Sequence, residues 1–274
     1  QPHKRRPRPD KNRENREPST TISLVIPLLN EEGSLRELTE RLLAVLEPMT
    51  GGRYEILFID DGSTDSSFEI LSELHQQNRR VKVVRFRRNY GKSAGLAVGF
   101  AKARGKYVIT MDADLQDDPA EIPALIAKLN EGYDLVSGWK RKRHDPLEKR
   151  LPSKLFNAIT SWASGIKLHD FNCGLKAYRS EVVKALNVYG EMHRYLPALA
   201  HRLGFRVTEM PVQHHPRKHG VSKFGASRYI KGFLDLMTVM FTTRYVKRPL
   251  HLFGTLGTRS VLLGFGINFY LSVE

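Results

Sequence analysis

Tyr107-Val108-Ile109-Thr110-Met111-Asp112-Ala113-Asp114-Leu115-Gln116-Asp117-Asp118-Pro119 decides how this chain is read. The apolar run from Tyr107 to Met111 has the pattern of a short buried strand, and Pro119 suits the first position of a following helix. Asp112 and Asp114 then stand one residue apart just past a strand, so their carboxylates point the same way and can share one hard divalent cation. Mg²⁺ or Mn²⁺ takes oxygen ligands, commonly one or two carboxylates plus substrate phosphates. Such a site suits a nucleotide diphosphate whose charge must be neutralised as it departs. The plainer reading is an acidic turn in which Asp117 or Asp118 caps the helix. On this stretch alone both stand.

Upstream of it the same unit recurs. Ile22–Pro27, Tyr54–Ile59 and Val81–Phe86 are short apolar runs rich in β-branched residues. Each is followed by a helical pattern: Leu35, Leu38, Leu42, Val45 and Leu46 at helical spacing, a second helix to about Gln77, and a small-residue helix from Lys92 to Ala103. Ala120–Asn130 completes the series. Strands alternating with helices predict an α/β fold with a mostly parallel sheet flanked by helices, whose ligands bind at the strands' carboxyl ends. Asn30-Glu31, Asp60-Asp61, Asn89-Tyr90-Gly91-Lys92 and Asp112-Ala113-Asp114 all fall directly after a predicted strand. One such loop could be a cap; four at one sheet edge call for a ligand.

Composition narrows the ligand. The chain has 274 residues and a net charge of +15. Residues 1–20 contribute +4, residues 140–154 contribute +5 and residues 214–248 contribute +7, which leaves the remainder at −1. A uniformly basic nucleic-acid fold is therefore not expected, nor is a nucleic-acid partner. The single cysteine, Cys173, excludes a disulfide within the sequence. Gly91-Lys92-Ser93-Ala94-Gly95 lacks the two glycines four apart that a P-loop needs before its Lys-Ser, and no GxGxxG follows the first strand. Small residues there suit close approach of helix and ligand, or tight helix packing.

These residues resemble the inverting family-2 glycosyltransferases of GT-A fold, within them the dolichol-phosphate mannose synthase and bacterial polyprenyl-phosphate glycosyltransferase group. The likeness spans about residues 21–250 and rests on four motifs. They are Val25-Ile26-Pro27 with Asn30-Glu31, Ile59-Asp60-Asp61-Gly62-Ser63-Thr64-Asp65, Asn89-Tyr90-Gly91-Lys92 and Asp112-Ala113-Asp114-Leu115-Gln116-Asp117-Asp118-Pro119. The resemblance implies that Pro27, Asn30 and Glu31 line a nucleotide pocket, that Asp61 binds the base, and that Gly91 and Lys92 lie beside the nucleoside. Asp112 and Asp114 would hold the metal with Gln116 as a further ligand, and Ala113 would touch the nucleotide. Phe171–Arg179 resembles the segment beneath the sugar, with Asp170 as a sugar contact or a base. His214–Phe224 resembles a loop over the donor pyrophosphate, on whose phosphate oxygens Arg217, Ser222 and Lys223 would close. Zinc at the adjacent His214 and His215 is disfavoured by spacing.

The acceptor is read from the second half. Tyr133–Trp139 patterns as a strand that runs into Lys140, Arg141, Lys142 and Arg143, followed by Arg150 and Lys154. A solvated basic loop and a seat for an anionic acceptor phosphate, with Arg141 at the reacting end and Ser222 nearby, are the two readings. The Gln-x-x-Arg-Trp motif of processive synthases is absent, and no Arg-Trp pair occurs in the chain; single-sugar transfer follows. His193 and Arg194 stand in the corresponding place, facing either the site or the core. The expectation is transfer of one sugar from a GDP- or UDP-linked donor to a polyprenyl phosphate. A saccharide or protein hydroxyl as acceptor, or a non-catalytic basic binder of membrane or nucleic acid, are the alternatives. Homo-oligomer formation stays open.

The expected organisation has four parts. Residues 1–20, rich in Pro and Arg, are expected to be disordered and lack the apolar core of a signal peptide, which puts the catalytic part on the cytoplasmic side. Residues 21–226 form the catalytic domain. Residues 227–250 pattern as an amphipathic juxtamembrane helix flanked by basic residues, lying in an anionic membrane surface or packed on the domain. Residues 251–274 read as the start of a transmembrane region, although the apolar run Val261–Val273 is only 13 residues, short of the roughly 20 that span a bilayer.

Overall fold

The computed structural model describes residues 20–141, 157, 160, 161, 164–190, 192–216 and 249–273. Nearly all of the N-terminal stretch lies outside these residues, as do Arg143, Arg150, Lys154, Arg217, Ser222, Lys223 and the juxtamembrane segment up to 248. Seven strands form one sheet: β1 (Ile22–Leu28), β2 (Tyr54–Asp60), β3 (Val81–Arg85), β4 (Tyr107–Thr110), β5 (Leu135–Trp139), β6 (Lys176–Arg179) and β7 (Val207–Pro211). Their spatial order is β3-β2-β1-β4-β6-β5-β7. Among the described strands β6 alone runs against its neighbours, β4 and β5. The mostly parallel α/β sheet is as expected; β6 and β7 were not.

The sequence pattern of β1 explains the layering. Ile22, Leu24, Ile26 and Leu28 point to one face, where α1 (Leu35–Thr50), α2 (Ser67–Gln77) and α4 (Ile122–Asn130) cover them with Leu38, Leu42, Leu71 and Leu125. Val25 faces the other way with Leu57 and Ile59, onto Leu96 and Phe100 of α3 (Lys92–Lys102) and onto α5 (Ser180–Ala185) and α6 (Leu196–Arg202). Alternate residues of a strand face opposite sides, so a strand buried on both reads as continuously apolar. The small residues of α3 are there for packing. A Cβ on Gly99 would lie 2.2 Å from Val25 Cγ1, and one on Gly95 would lie 3.1 Å from Pro27 Cβ.

At the amino ends of the strands, far from the polar loops, a buried carboxylate ties three segments. Glu55 accepts hydrogen bonds from Ser23 Oγ (2.6 Å), the Arg104 backbone N–H (2.8 Å) and Lys82 Nζ (2.6 Å).

Two element expectations need correction. Pro119 opens a 3₁₀ turn, Pro119–Glu121, and α4 starts only at Ile122. Asp118 caps that turn by accepting the Ala120 N–H at 2.9 Å. The strand expected from Tyr133 begins at Leu135, after Gly132 takes a φ of +99°. The last helix, α7 (Pro249–Val273), has 25 residues and leaves Leu250, Phe253, Leu262 and Phe265 exposed. Among the described residues, no helix is long and apolar enough to cross a membrane; Arg259, Asn268 and four glycines dilute the apolar content of α7.

Candidate functional site

Because β4 lies beside β1 on the side away from β2, the strand order reverses between β1 and β4. Such a switch point opens a crevice at the carboxyl ends of the strands. Pro27, Lys92, Asp112, Gly174, Lys176 and His193 line it.

Two of the four loops brace each other. The Asn30 N–H donates to Ser63 Oγ (3.0 Å) and the Glu31 N–H to Ser67 Oγ (3.0 Å), while Asn30 Oδ1 accepts the Thr64 N–H (2.8 Å). Asn30 takes a left-handed φ of 55°, tolerable for Asn because its short amide bonds locally. Asp60 turns inward, accepting the Ser63 N–H at 2.8 Å and facing Arg85 Nε at 3.6 Å. Asp61 holds the third loop: Oδ1 accepts the Tyr90 N–H at 2.7 Å and Oδ2 the Gly91 N–H at 2.8 Å. Gly62 is required there, since a Cβ would lie 2.6 Å from the Arg88 carbonyl carbon. Asp61, expected at the base, thus also fixes the backbone from which Lys92 projects.

Lys92 reaches across to Asp112, its ammonium donating to Oδ1. Burial opposes charge on Asp112, yet Lys92, helped by Lys140 and Lys176, holds the carboxyl down at about 2. On its other side Asp112 rests against Gly174, where a Cβ would lie 2.5 Å from Oδ2. Asp114 is largely buried, and its Oδ1 accepts the Gln116 N–H at 3.2 Å. Leu115 adopts a left-handed φ of 60°, which turns the chain between them. Ala113 packs into the apolar core.

Lysines surround Asp112. Lys140, the first of the basic run, pairs with the fully buried Asp117 at 3.2 Å. Burial opposes its charge, but Asp117, Asp112 and Asp170 push its pKa above the ordinary lysine value. Lys176 is buried on β6 and donates to the Cys173 carbonyl; burial lowers its pKa. Asp170 is 1% exposed and accepts the Asn172 N–H at 3.0 Å. Arg141 is exposed beside Trp139, 5.9 Å from its ring centre, and lines a second cleft with Glu121 and residues 211–215. His193 lies in the first crevice with Nδ1 3.0 Å from Ser93 Oγ. Burial, then Lys92 and Arg194, depress it to about 3, so its imidazole is neutral near pH 7.

The segment after β7 docks on the acidic loop. The His215 N–H donates to the Gln116 carbonyl at 2.8 Å, His214 forms an isolated bridge with Asp117, and His215 Nε2 lies 3.1 Å from Asp118 Oδ2. Gln116 turns its Nε2 toward His214 Nε2 and the His215 carbonyl, both at 3.4 Å.

Sequence reasoning missed Lys176 and the roles of Asp117 and Ser93. A lysine in a four-residue strand with a charge at each end gives little warning. Its only signal is that Lys176 and Tyr178 share a face by alternation.

The residues present fit Mg²⁺ or Mn²⁺. Asp112 offers hard oxygen donors, is held ionised, and keeps about a third of its side chain exposed. Among the described residues no three His, Cys, Asp or Glu side chains converge on one point; one or two carboxylates completed by substrate phosphates are a common set for Mg²⁺.

The chain is similar to several proteins of known activity. It is 40% identical over 261 residues to the dodecaprenyl-phosphate galacturonate synthase of Rhizobium johnstonii, covering 93% of this chain and 77% of that protein. It is 41% identical to the undecaprenyl-phosphate 4-deoxy-4-formamido-L-arabinose transferase of Edwardsiella ictaluri, with 89% and 74% covered. Among solved structures, glucosyl-3-phosphoglycerate synthase from Mycobacterium tuberculosis in complex with Mn²⁺, UDP-glucose and glycerol 3-phosphate shares the fold. Its TM-score is 0.57 at 24% identity, over 79% of this chain and 80% of that one. A sequence model of glycosyl transferase family 2 matches residues 23–186, and with these relatives it makes the chain a member of glycosyl transferase family 2.

Proposed function

We propose that the protein transfers one sugar from a nucleotide-diphosphate sugar, UDP- or GDP-linked, to a polyprenyl phosphate at a membrane, with inversion at the anomeric carbon. The observation that carries the chemistry is Asp112 at the sheet's switch point, under the charges of Lys92, Lys140 and Lys176, with Asp114 two residues on. The choice of acceptor is supported by the relatives, which are named for dodecaprenyl or undecaprenyl phosphate.

An acceptor phosphate oxygen attacks the anomeric carbon, and the bond from that carbon to the donor's diphosphate oxygen breaks with its electron pair. No proton needs to be removed, because a phosphate monoester's second pKa is about 6. Asp170, buried and engaged with Asn172, therefore has an electrostatic and positioning role beside Lys140 and Lys176. Asp112 and Asp114, with Gln116 alongside, would hold a divalent cation, which would supply positive charge to the departing diphosphate. Lys92 contributes a further positive charge at the same place. Lys140, expected at the acceptor phosphate, is instead buried against Asp117, so the exposed Arg141 begins the basic run that receives that phosphate, and Arg143, Arg150 and Lys154 continue it beyond the described residues. Arg217, Ser222 and Lys223 belong to the loop that covers the donor. The catalytic face is cytoplasmic in this reading.

The test is transfer of radiolabelled sugar to undecaprenyl phosphate in Mn²⁺, scanned over UDP- and GDP-linked donors. Label in the organic phase from one donor is the expected result. Label transferred only to soluble saccharide or protein refutes the acceptor assignment.

A further inference from the structure

Lys92 occupies an unusual place for a cation, because it is paired with a carboxylate that the proposed function assigns to a metal. Three features make that pairing a built one. The backbone of Tyr90 and Gly91 is clamped by Asp61, so the root of Lys92 is fixed and only its side chain is free to move. Gly174 packs against the face of the Asp112 carboxylate, with room there for less than a methyl group, while Lys92 takes Oδ1. The two neighbouring lysines are committed elsewhere, Lys140 to Asp117 and Lys176 to the Cys173 carbonyl. The Lys92–Asp112 pair is also partly exposed, with 34% and 32% of the side chains accessible, so it can open without unpacking the core.

We infer that Lys92 couples metal and nucleotide binding: it competes with the divalent cation for Asp112, and it yields that carboxylate when a diphosphate arrives to receive its ammonium. Metal and nucleotide then bind cooperatively. A cation entering alone must displace Lys92 and leave it without an anion. A cation entering with a diphosphate gives Lys92 a phosphate oxygen in exchange, a charge-assisted contact. By linkage the same factor raises nucleotide affinity when metal is present. The inference rests on the reading of Asp112 as a metal ligand and of the donor as a nucleotide diphosphate.

The experiment measures Mn²⁺ binding by electron paramagnetic resonance and calorimetry on the full chain, without nucleotide and with saturating UDP or GDP. In Lys92→Met, Mn²⁺ affinity without nucleotide should rise about fivefold, the factor equivalent to the ~1 kcal/mol of a partly exposed ion pair. Nucleotide affinity in Mn²⁺ should fall at least roughly tenfold, the low end for a lost hydrogen bond to a charged group. The factor by which nucleotide improves Mn²⁺ binding should fall about fivefold. Lys92→Arg keeps the cation and should keep the weak metal binding of the nucleotide-free protein. Asp112→Asn should abolish the Mn²⁺ signal in every condition. Unchanged or weaker Mn²⁺ binding by nucleotide-free Lys92→Met, alongside normal nucleotide-dependent binding in the wild type, would overturn the coupling role and leave the proposed function standing. A wild-type protein that binds no Mn²⁺ even with UDP or GDP would remove both.

Discussion

Gly174→Ala tests whether the position of one carboxylate governs the rate. The added Cβ would lie 2.5 Å from Asp112 Oδ2, 2.7 Å from Cγ and 3.0 Å from Oδ1, so it meets the flat face of the carboxylate. Ordinary contacts between heavy atoms need about 3.5 Å, so something must retreat by about 1 Å. The backbone resists, because the Gly174 carbonyl accepts from Thr110 Oγ1 at 2.8 Å and Leu175 is tied to Gly138 at 2.9 Å. Asp112, with a third of its side chain exposed, gives instead. A displacement of ~1 Å at a reacting site costs on the order of 100-fold in rate, or about 2.7 kcal/mol in the barrier. Gly174 has no positive φ, so Ala adds no backbone strain, and stability should fall by no more than about 1–3 kcal/mol from overpacking. The assay is kcat/KM for sugar transfer against Mn²⁺ concentration, with urea unfolding in parallel. In an Asp112→Ala background the same substitution should cost almost no further unfolding free energy, because its target is gone. Retention of kcat/KM within threefold, or an equal loss of stability in both backgrounds, would refute the reasoning.

Four other outcomes follow from the geometry. Asp114→Ala should abolish transfer with the far-ultraviolet spectrum preserved; retained turnover would sink the metal assignment. Asp61→Asn replaces one of two acceptors with a donor that faces a backbone N–H. It should cost about 1–3 kcal/mol and raise KM for the donor more than it lowers kcat, which steady-state kinetics separates. Glu55→Gln should lower unfolding free energy by about 1–3 kcal/mol at pH 7. Burial opposes the Glu55 charge, but Lys82, Ser23 and the Arg104 N–H lower its pKa below 4.5. Its contribution is therefore present above pH 4.5 and disappears as pH falls through the depressed folded value, so the gap from wild type should close in acid. Gly99→Ala, whose Cβ would lie 2.2 Å from Val25 Cγ1, should destabilise by roughly 1–3 kcal/mol, read as a lower Tm.

Four polar loops after four strands were legible because the parallel βα repeat sends every strand's carboxyl end to one edge. The division of labour within them was not. Asp60 and Asp61 are neighbours in sequence, yet one turns inward to Ser63 and Arg85 while the other clamps residues 90 and 91. That choice is made by partners about 25–30 residues away. β6 escaped notice because Lys176-Ala177-Tyr178-Arg179 is too short for alternation to show and carries a charge at each end. Its pairing with β4 sets Lys176 opposite Thr110 and so brings it into the crevice that Asp112 lines. Lys140 illustrates the same limit: by composition it starts a solvated basic run, and in the fold it is buried against Asp117.

The docking of residues 213–215 on residues 116–121 also has a consequence for how the molecule is made. Gln116 and Asp118 meet partners 97 to 99 residues later in the chain. Contacts of such long sequence separation form late, after the intervening loop has been closed. During synthesis at roughly 5–20 residues per second, the acidic loop waits on the order of 5–20 s for the histidines that brace it. The nucleotide half can assemble from β1 to β4 in that interval, while the loop bearing Asp114 stays unfinished. Bracing of the acidic loop is thus timed by residue 215 leaving the ribosome, not by completion of the sheet's first half.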